Sequence, residues 1–159
     1  REFVEFLRVR ETQGWEPGWL RELAEYERVE LELAIAPDAA DTCRPVKDEE
    51  IATSVLRLAP LARLLCYEYP VHRIGPEYDP APEPTFLLVY RDADDEVQFM
   101  TLMPATAQLL ALIEDNHSTA AHELLRQLAA DLAVPLQQVQ THGVAQLTDF
   151  LERGVVTCG

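Results

Sequence analysis

Two short β-patterns on either side of an acidic turn set the plan of this chain. Thr85-Phe86-Leu87-Leu88-Val89-Tyr90 is apolar almost throughout. In a strand it puts Phe86, Leu88 and Tyr90 on one face and Leu87 and Val89 on the other. Arg91-Asp92-Ala93-Asp94-Asp95 breaks the pattern, and Glu96-Val97-Gln98-Phe99-Met100-Thr101-Leu102 resumes it. Short polar side chains favour hairpin tips, so the two runs read as a β-hairpin. Three helical patterns follow: Ala105–Asp115 after Pro104, Thr119–Leu132 with Ser118 as its expected cap, and Leu136–Arg153 after Pro135. Proline suits a first helical position, where its missing N–H would be unpaired anyway, and a serine hydroxyl can accept from the first free helical amides. Gly154 is expected to end the third helix, with Val155-Val156 returning as a short strand beside the hairpin. A hairpin and three short helices outline a winged-helix-like unit.

The upstream part is mixed. Glu2–Arg10 places Phe3, Phe6 and Leu7 on one helical face, and Gly18–Ala36 reads as a longer helix entered through Pro17. Trp19, Leu20, Leu23, Ala24, Leu31 and Ile35 form a broad apolar stripe on it, with Glu25 and Arg28 at i,i+3 spacing on its polar side. Pro37–Glu50 is polar and reads as a loop, and Ile51–Leu58 reads as a strand. Ala59–Tyr69 fits a helical turn after Pro60 and then a strand. Tyr69–Ile74 reads as extended, because a residue before proline is pushed out of the α region. Gly75–Pro84 holds four prolines and little to bury, which makes it a stiff linker or strap. The expected fold class is therefore α+β. Residues 1–83 form a helix-plus-strand segment, which the resemblance described below would turn toward a partner, and residues 84–159 form the winged-helix-like domain. The chain starts at Arg1, inside a helical pattern and without methionine, as a piece of a longer protein would.

Charge narrows the functions open to such a chain. The 159 residues hold 13 basic and 28 acidic side chains, a net charge of −15. The excess is spread evenly, −8 over residues 1–83 and −7 over residues 84–159. Each carboxylate repels phosphate, so nucleic-acid binding would need a concentrated basic patch. Lys47 is the only lysine, and the arginines are scattered. Three widely spaced cysteines, Cys43, Cys66 and Cys158, make neither a disulfide framework nor a zinc pair. They fit reduced thiols and a cytoplasmic setting. No membrane-spanning run or signal peptide is visible.

Chemistry is sparse. His72, His117, His122 and His142 show no metal-ligand spacing, and Asp92-Ala93-Asp94-Asp95 lacks the glycine and distal glutamate of a calcium loop. There is no nucleophile elbow, phosphate loop or dinucleotide fingerprint. The expectation is a protein that is not an enzyme and uses no cofactor or metal.

Two segments carry a resemblance. Tyr67-Glu68-Tyr69-Pro70-Val71-His72-Arg73-Ile74, preceded by Leu61-Ala62-Arg63-Leu64-Leu65, resembles the HvfC family and, more distantly, that family's methanobactin partner MbnC. Leu23-Ala24-Glu25-Tyr26-Glu27-Arg28-Val29-Glu30-Leu31 is similar to a helix of that family, with Glu25 and Arg28 where histidine and tryptophan are usual. Residues 85–156 also resemble the PqqD-type peptide-recognition fold. The resemblance implies a partner protein that binds the leader of a ribosomally made precursor peptide and presents it to a multinuclear iron oxidative enzyme. The iron would belong to that enzyme. It further implies a peptide groove between strand and third helix, lined by Phe86, Leu88, Tyr90, Val139, Gln140, Gly143 and Leu147. Tyr69, His72 and Arg73 would face the enzyme.

Two other readings compete. A winged-helix transcriptional regulator would read DNA with the third helix, yet Leu136–Glu152 has no Lys or Arg to contact phosphate. An assembly module would pair through the long N-terminal helix.

Overall fold

The computed structural model describes residues 16–37 and 48–158. The helix expected over Glu2–Arg10 and most of the loop expected over Pro37–Glu50 lie outside them. Helix α1 (Leu20–Ala34) comes first, followed by a helical turn α2 (Asp48–Ile51) and strands β1 (Leu56–Leu58) and β2 (Ala62–Tyr67). After a short 3-10 turn come the hairpin strands β3 (Thr85–Arg91) and β4 (Val97–Leu102). Helices α3 (Pro104–Glu114), α4 (Ala121–Asp131) and α5 (Leu136–Glu152) and strand β5 (Val156–Cys158) complete the chain. The architecture is mixed α+β, with the hairpin and three helices in the expected order.

Strand β3 lies between β2 and β4 in an antiparallel sheet. Its alternation supplies two cores. Leu65, Tyr67, Leu87 and Val89 point to one face and pack with Val29 and Leu33 of α1. Ala62, Leu88, Tyr90 and Leu102 point to the other and pack with Leu109, Leu110 and Ile113 of α3, Leu125 of α4, and Leu147 and Phe150 of α5. Each fully buried aliphatic or aromatic side chain contributes about 1.5–3 kcal/mol from area removed from water. Both faces of β3 are therefore committed to packing.

The sequence and the structure differ at several places. Val156–Cys158 does not lie beside the hairpin. It pairs antiparallel with β1, Leu56 opposite Cys158 and Leu58 opposite Val156. The reason lies at the end of α5, where Gly154 takes φ 70°. The Gly154 amide donates to the Leu151 carbonyl at 3.1 Å and the Val155 amide to that of Phe150 at 2.9 Å. This helix-terminating turn sends the fully buried Val155 and Val156 under the helices toward β1. The strand expected over Ile51–Leu58 is shorter, because residues up to Ile51 complete a helical turn whose end is closed by Ser54 Oγ donating to the Glu50 carbonyl at 2.8 Å.

Ser118 does not cap α4, which starts at Ala121 without a side-chain cap. Asn116 organises that connection instead. Its Oδ1 accepts from the Ser118 and Thr119 amides at 3.2 and 2.8 Å, and its Nδ2 donates to the carbonyls of Thr119 at 2.8 Å and Leu56 at 3.0 Å.

Tyr69–Ile74 is not extended. Val71–Arg73 is a 3-10 turn, with the Arg73 amide donating to the Pro70 carbonyl at 3.0 Å. Proline restrains the residue before it and leaves those after it free to turn. Burial of Val71 against α1 then favours the turn. Glu22 of α1 fixes the approach, its carboxylate accepting from the Glu68 and Tyr69 amides at 2.8 and 3.0 Å. The boundary expected at Pro84 falls between paired strands: β2 and β3 pair across it, and so do β1 and β5.

Helix α4 ends in the same kind of turn as α5, but on an alanine. Ala133 takes φ 53°, with the Val134 amide donating to the Ala129 carbonyl at 3.1 Å. A Cβ in the left-handed region costs roughly 1–2 kcal/mol, partly offset by the larger unfolded-state entropy of glycine. Ala133→Gly is accordingly expected to stabilise the chain by about 0.5 kcal/mol or more, read as a higher urea midpoint at unchanged slope.

Candidate functional site

The three-stranded sheet ends in β2 on one side and β4 on the other, and among the described residues no strand pairs with either outer edge; at β4, hydrogen-bond parity says which groups the edge offers. In an antiparallel ladder alternate residues exchange both backbone bonds with the neighbouring strand, while those between direct theirs the other way. The Asp92 amide donates to the Glu96 carbonyl at 3.0 Å. Tyr90–Gln98, Leu88–Met100 and Phe86–Leu102 are therefore the bonded pairs of the hairpin. The Arg91 amide donates to Leu61 at 3.0 Å, so the odd-numbered residues of β3 bond to β2. It follows that Val97, Phe99 and Thr101 aim their N–H and C=O groups away from β3. Among the described residues no strand pairs with that side.

Side chains make a step next to this edge. Val97, Phe99 and Thr101 lie on the sheet face covered by α1, but α1 reaches only part of the way across. Tyr26 of α1 meets Phe99 with ring centroids 5.4 Å apart at a tilt of 46°. Phe99 stays 43% exposed, and Met103, just beyond the strand, 72% exposed. The hairpin tip is rigid: Asp92 Oδ1 accepts from the Asp94 and Glu96 amides, each at 3.0 Å, and Oδ2 from Gln98 Nε2 at 2.7 Å. These bonds hold the Asp92 carboxyl below its usual range, the Glu96 amide contributing most. The acidic tip is thus a turn-forming device. Behind β3, the buried Arg91 Nη1 donates to the Leu33 and Ala36 carbonyls at 3.3 and 2.6 Å. A cation at the C-terminal end of α1 ties that helix to the sheet.

The residues expected to line a strand–helix groove are only partly brought together. Leu88, Tyr90 and Leu147 are buried in the larger core, with Phe86 and Val139 packed against it. Gly143 faces Leu125 of α4, where an added Cβ would collide with the leucine side chain. Gln140 is exposed. Between the hairpin tip and the end of α5 lies a polar cleft of about 260 Å³, lined by Tyr90, Asp92, Ala93, Asp94, Gln98, Glu152 and Arg153. No sequence signal marks the edge residues Val97, Phe99 and Thr101 or their neighbour Tyr26 as a site. Strand order makes an edge, and the alternation of β4 does not contain it.

Tyr69, His72 and Arg73 surround the 3-10 turn near the start of α1. Tyr69 packs over Gly18 and against the smaller core. Arg73 is exposed, 3.7 Å from Glu83 on the proline-rich strap. The strap is tied down by Trp19 Nε1 donating to Asp79 Oδ1 at 2.5 Å and by the Glu83 amide donating to the Glu68 carbonyl at 2.7 Å. His72 Nδ1 is buried without a hydrogen-bond partner among the described residues. Burial, helped by the Arg73 charge, lowers the His72 pKa from its ordinary 6.5. The folded chain therefore favours neutral His72, and its contribution to stability is present above the ordinary histidine pKa and lost as pH falls through the depressed folded value. His72→Gln is expected to flatten stability against pH in this window, measured by urea titration on both sides of it. An unchanged profile would show that His72 is equally solvated in both states.

Other polar groups serve structure. Burial, and then the Glu114 charge, push the Cys66 thiol up, which disfavours a nucleophilic thiolate. Among the described residues no group of three or more His, Cys, Asp or Glu is placed to hold a metal ion, and no helix is long and apolar enough to cross a membrane.

Fold and site together define a mixed α+β unit whose antiparallel sheet is covered on both faces and, among the described residues, unpaired along the outer edge of β4. The chain belongs to the HvfC family: residues 59–151, more than half of its length, match the HvfC C-terminal domain. Comparison with curated proteins finds no match. The matched segment begins just before β2 and ends in α5, so it contains the whole three-stranded sheet, helices α3 and α4, and α5 as far as Leu151.

Proposed function

We propose that this chain is a non-catalytic partner protein that binds the leader of a ribosomally made precursor peptide and presents it to an iron-dependent modifying enzyme. Membership of the HvfC family supports a partner role. The observation that carries peptide binding is the β4 edge, where three alternate residues, Val97, Phe99 and Thr101, offer main-chain groups that an extended segment can pair with. Of the expected groove residues, Phe86, Leu88, Tyr90, Val139 and Leu147 fit this reading as part of the packed core that holds the hairpin in place. The Tyr69–Ile74 turn, fixed by Glu22 and the strap, is a rigid surface suited to the enzyme. Helix α5, with no Lys or Arg along Leu136–Glu152, favours peptide over DNA.

The test is calorimetry of the full chain with the leader segment of a cysteine-containing precursor encoded beside its gene. Saturable heat is expected, together with slower amide exchange at Val97, Phe99 and Thr101. Absence of heat, combined with a salt-sensitive mobility shift of DNA, would reverse the ranking of peptide and nucleic acid.

A further inference from the structure

The step beside β4 is charged with one sign. The two basic residues of α1, Arg21 and Arg28, are seven apart and share one helix face, and Arg28 turns toward β2: it lies 3.7 Å from Glu25 and pairs with Glu32, which in turn lies 3.3 Å from Arg63 of β2. Tyr26 marks the opposite flank through its contact with Phe99. Glu30, one helical turn beyond Tyr26, shares that flank, and the exposed Glu27 stands beside Glu30 at i,i+3 spacing on its solvent side. The Tyr26 hydroxyl is raised first by burial and then by the Glu30 and Glu27 charges. Neither glutamate is ion-paired among the described residues. At the far end of β4 stand the exposed Asp94, Asp95 and Glu96, of which Asp95 lies 3.5 Å from Arg91. No Lys or Arg occurs between Arg91 and Arg126.

We propose that the β4 edge selects a basic extended segment: an apolar side chain set against the Tyr26–Phe99 pair, with Lys or Arg on the same face two residues away reaching Glu27, Glu30 and the Asp94–Glu96 tip. Side chains on one face of an added strand recur every second residue, roughly 7 Å apart. Such spacing lets one residue cover the aromatic pair while its neighbours reach the carboxylates. Main-chain pairing supplies affinity without regard to sequence, and the carboxylates supply the choice. This inference deepens the peptide-binding reading of the same edge and rests on it.

The experiment uses the full chain and two fluorescein-labelled synthetic peptides, one repeating Val-Thr-Lys-Thr, the other Val-Thr-Glu-Thr, so that valine and the charged residue alternate along one strand face, followed by fluorescence anisotropy. The lysine peptide is expected to bind about ten-fold or more tightly at low salt, with the gap narrowing as salt rises. Converting both Glu27→Lys and Glu30→Lys is expected to remove about ten-fold of that preference, two rim charge contacts together being worth that much. Thr101→Pro tests the location. The Thr101 amide faces away from β3, so proline there spares the ladder while removing an outward donor, and about ten-fold weaker binding is expected at unchanged circular dichroism. Equal affinity for the two peptides, or a preference indifferent to the glutamate reversals, overturns the charge selection and leaves the edge as a peptide site. Binding unaffected by Thr101→Pro removes the site from β4. Failure of both peptides overturns the inference, while the partner function stands or falls separately on the precursor titration.

Discussion

Phe150→Ala is expected to destabilise the chain by about 3–5 kcal/mol, the range for removing a fully buried aromatic side chain. Phe150 is 1% exposed on α5, in the core shared by α3, α4, β1 and the sheet. Truncation loses the apolar burial and leaves a cavity that rigid neighbours on several elements fill only in part. A chain of this size has a net stability of roughly 5–15 kcal/mol, so the variant is expected to lose a large fraction of it. The melting temperature should fall by on the order of 10 °C, at about 2–4 °C per kcal/mol. Leu31→Ala is the control: Leu31 is 61% exposed on α1, and its truncation is expected to stay within about 0.5 kcal/mol. Similar urea midpoints for the two variants would contradict the packing of α5 described above.

Asn116→Ala is the second large effect, about 2–4 kcal/mol, because four hydrogen bonds converge on one side chain that is 5% exposed. Each buried donor or acceptor left without a partner costs about 1–3 kcal/mol, reduced where water or a small backbone shift replaces the lost bond. Asn116→Asp separates the two halves of the network. A carboxylate keeps the acceptor for Ser118 and Thr119 but loses the donor to Leu56 and Thr119, and places negative charge beside two carbonyl oxygens. It is expected to be at least as damaging as alanine. Thermal unfolding ranks the variants, and amide exchange locates the damage in β1 and β5, which Asn116 ties to the α3–α4 connection. The β4 edge belongs to the other sheet, so peptide affinity should be unchanged wherever the variant remains folded. Loss of binding in the folded Asn116→Ala chain would show that the two sheets are coupled.

Local physics made much of this architecture legible from residues alone. The apolar runs 85–90 and 97–102 and the polar tip between them give a hairpin whatever surrounds them. Pro104 and Pro135 open helices and Gly154 closes one, because each acts through its own backbone. The Glu25–Arg28 spacing gives the observed contact because both residues ride on one helix. Local rules failed where a distant partner decided. Ser118 has the right chemistry for a cap, yet Asn116 outbids it by also reaching Leu56 of β1. Tyr69–Ile74 satisfies an extended pattern, yet burial of Val71 and two bonds to Glu22 turn it.

The functional edge divides in the same way. Sequence alone determined an acidic chain, without a basic patch for nucleic acid, carrying a two-faced hairpin followed by three helices. Composition and side-chain periodicity are properties of the chain itself. Only the tertiary structure decided that β3 sits in the middle, that β5 pairs with β1 rather than with the hairpin, and that Val97, Phe99 and Thr101 therefore carry the open edge beside Tyr26, Glu27 and Glu30. A strand's alternation fixes which side chains share a face. Which of its two hydrogen-bonding edges finds a neighbour depends on residues far away in sequence, and that is settled only when the sheet and its covering helices pack together.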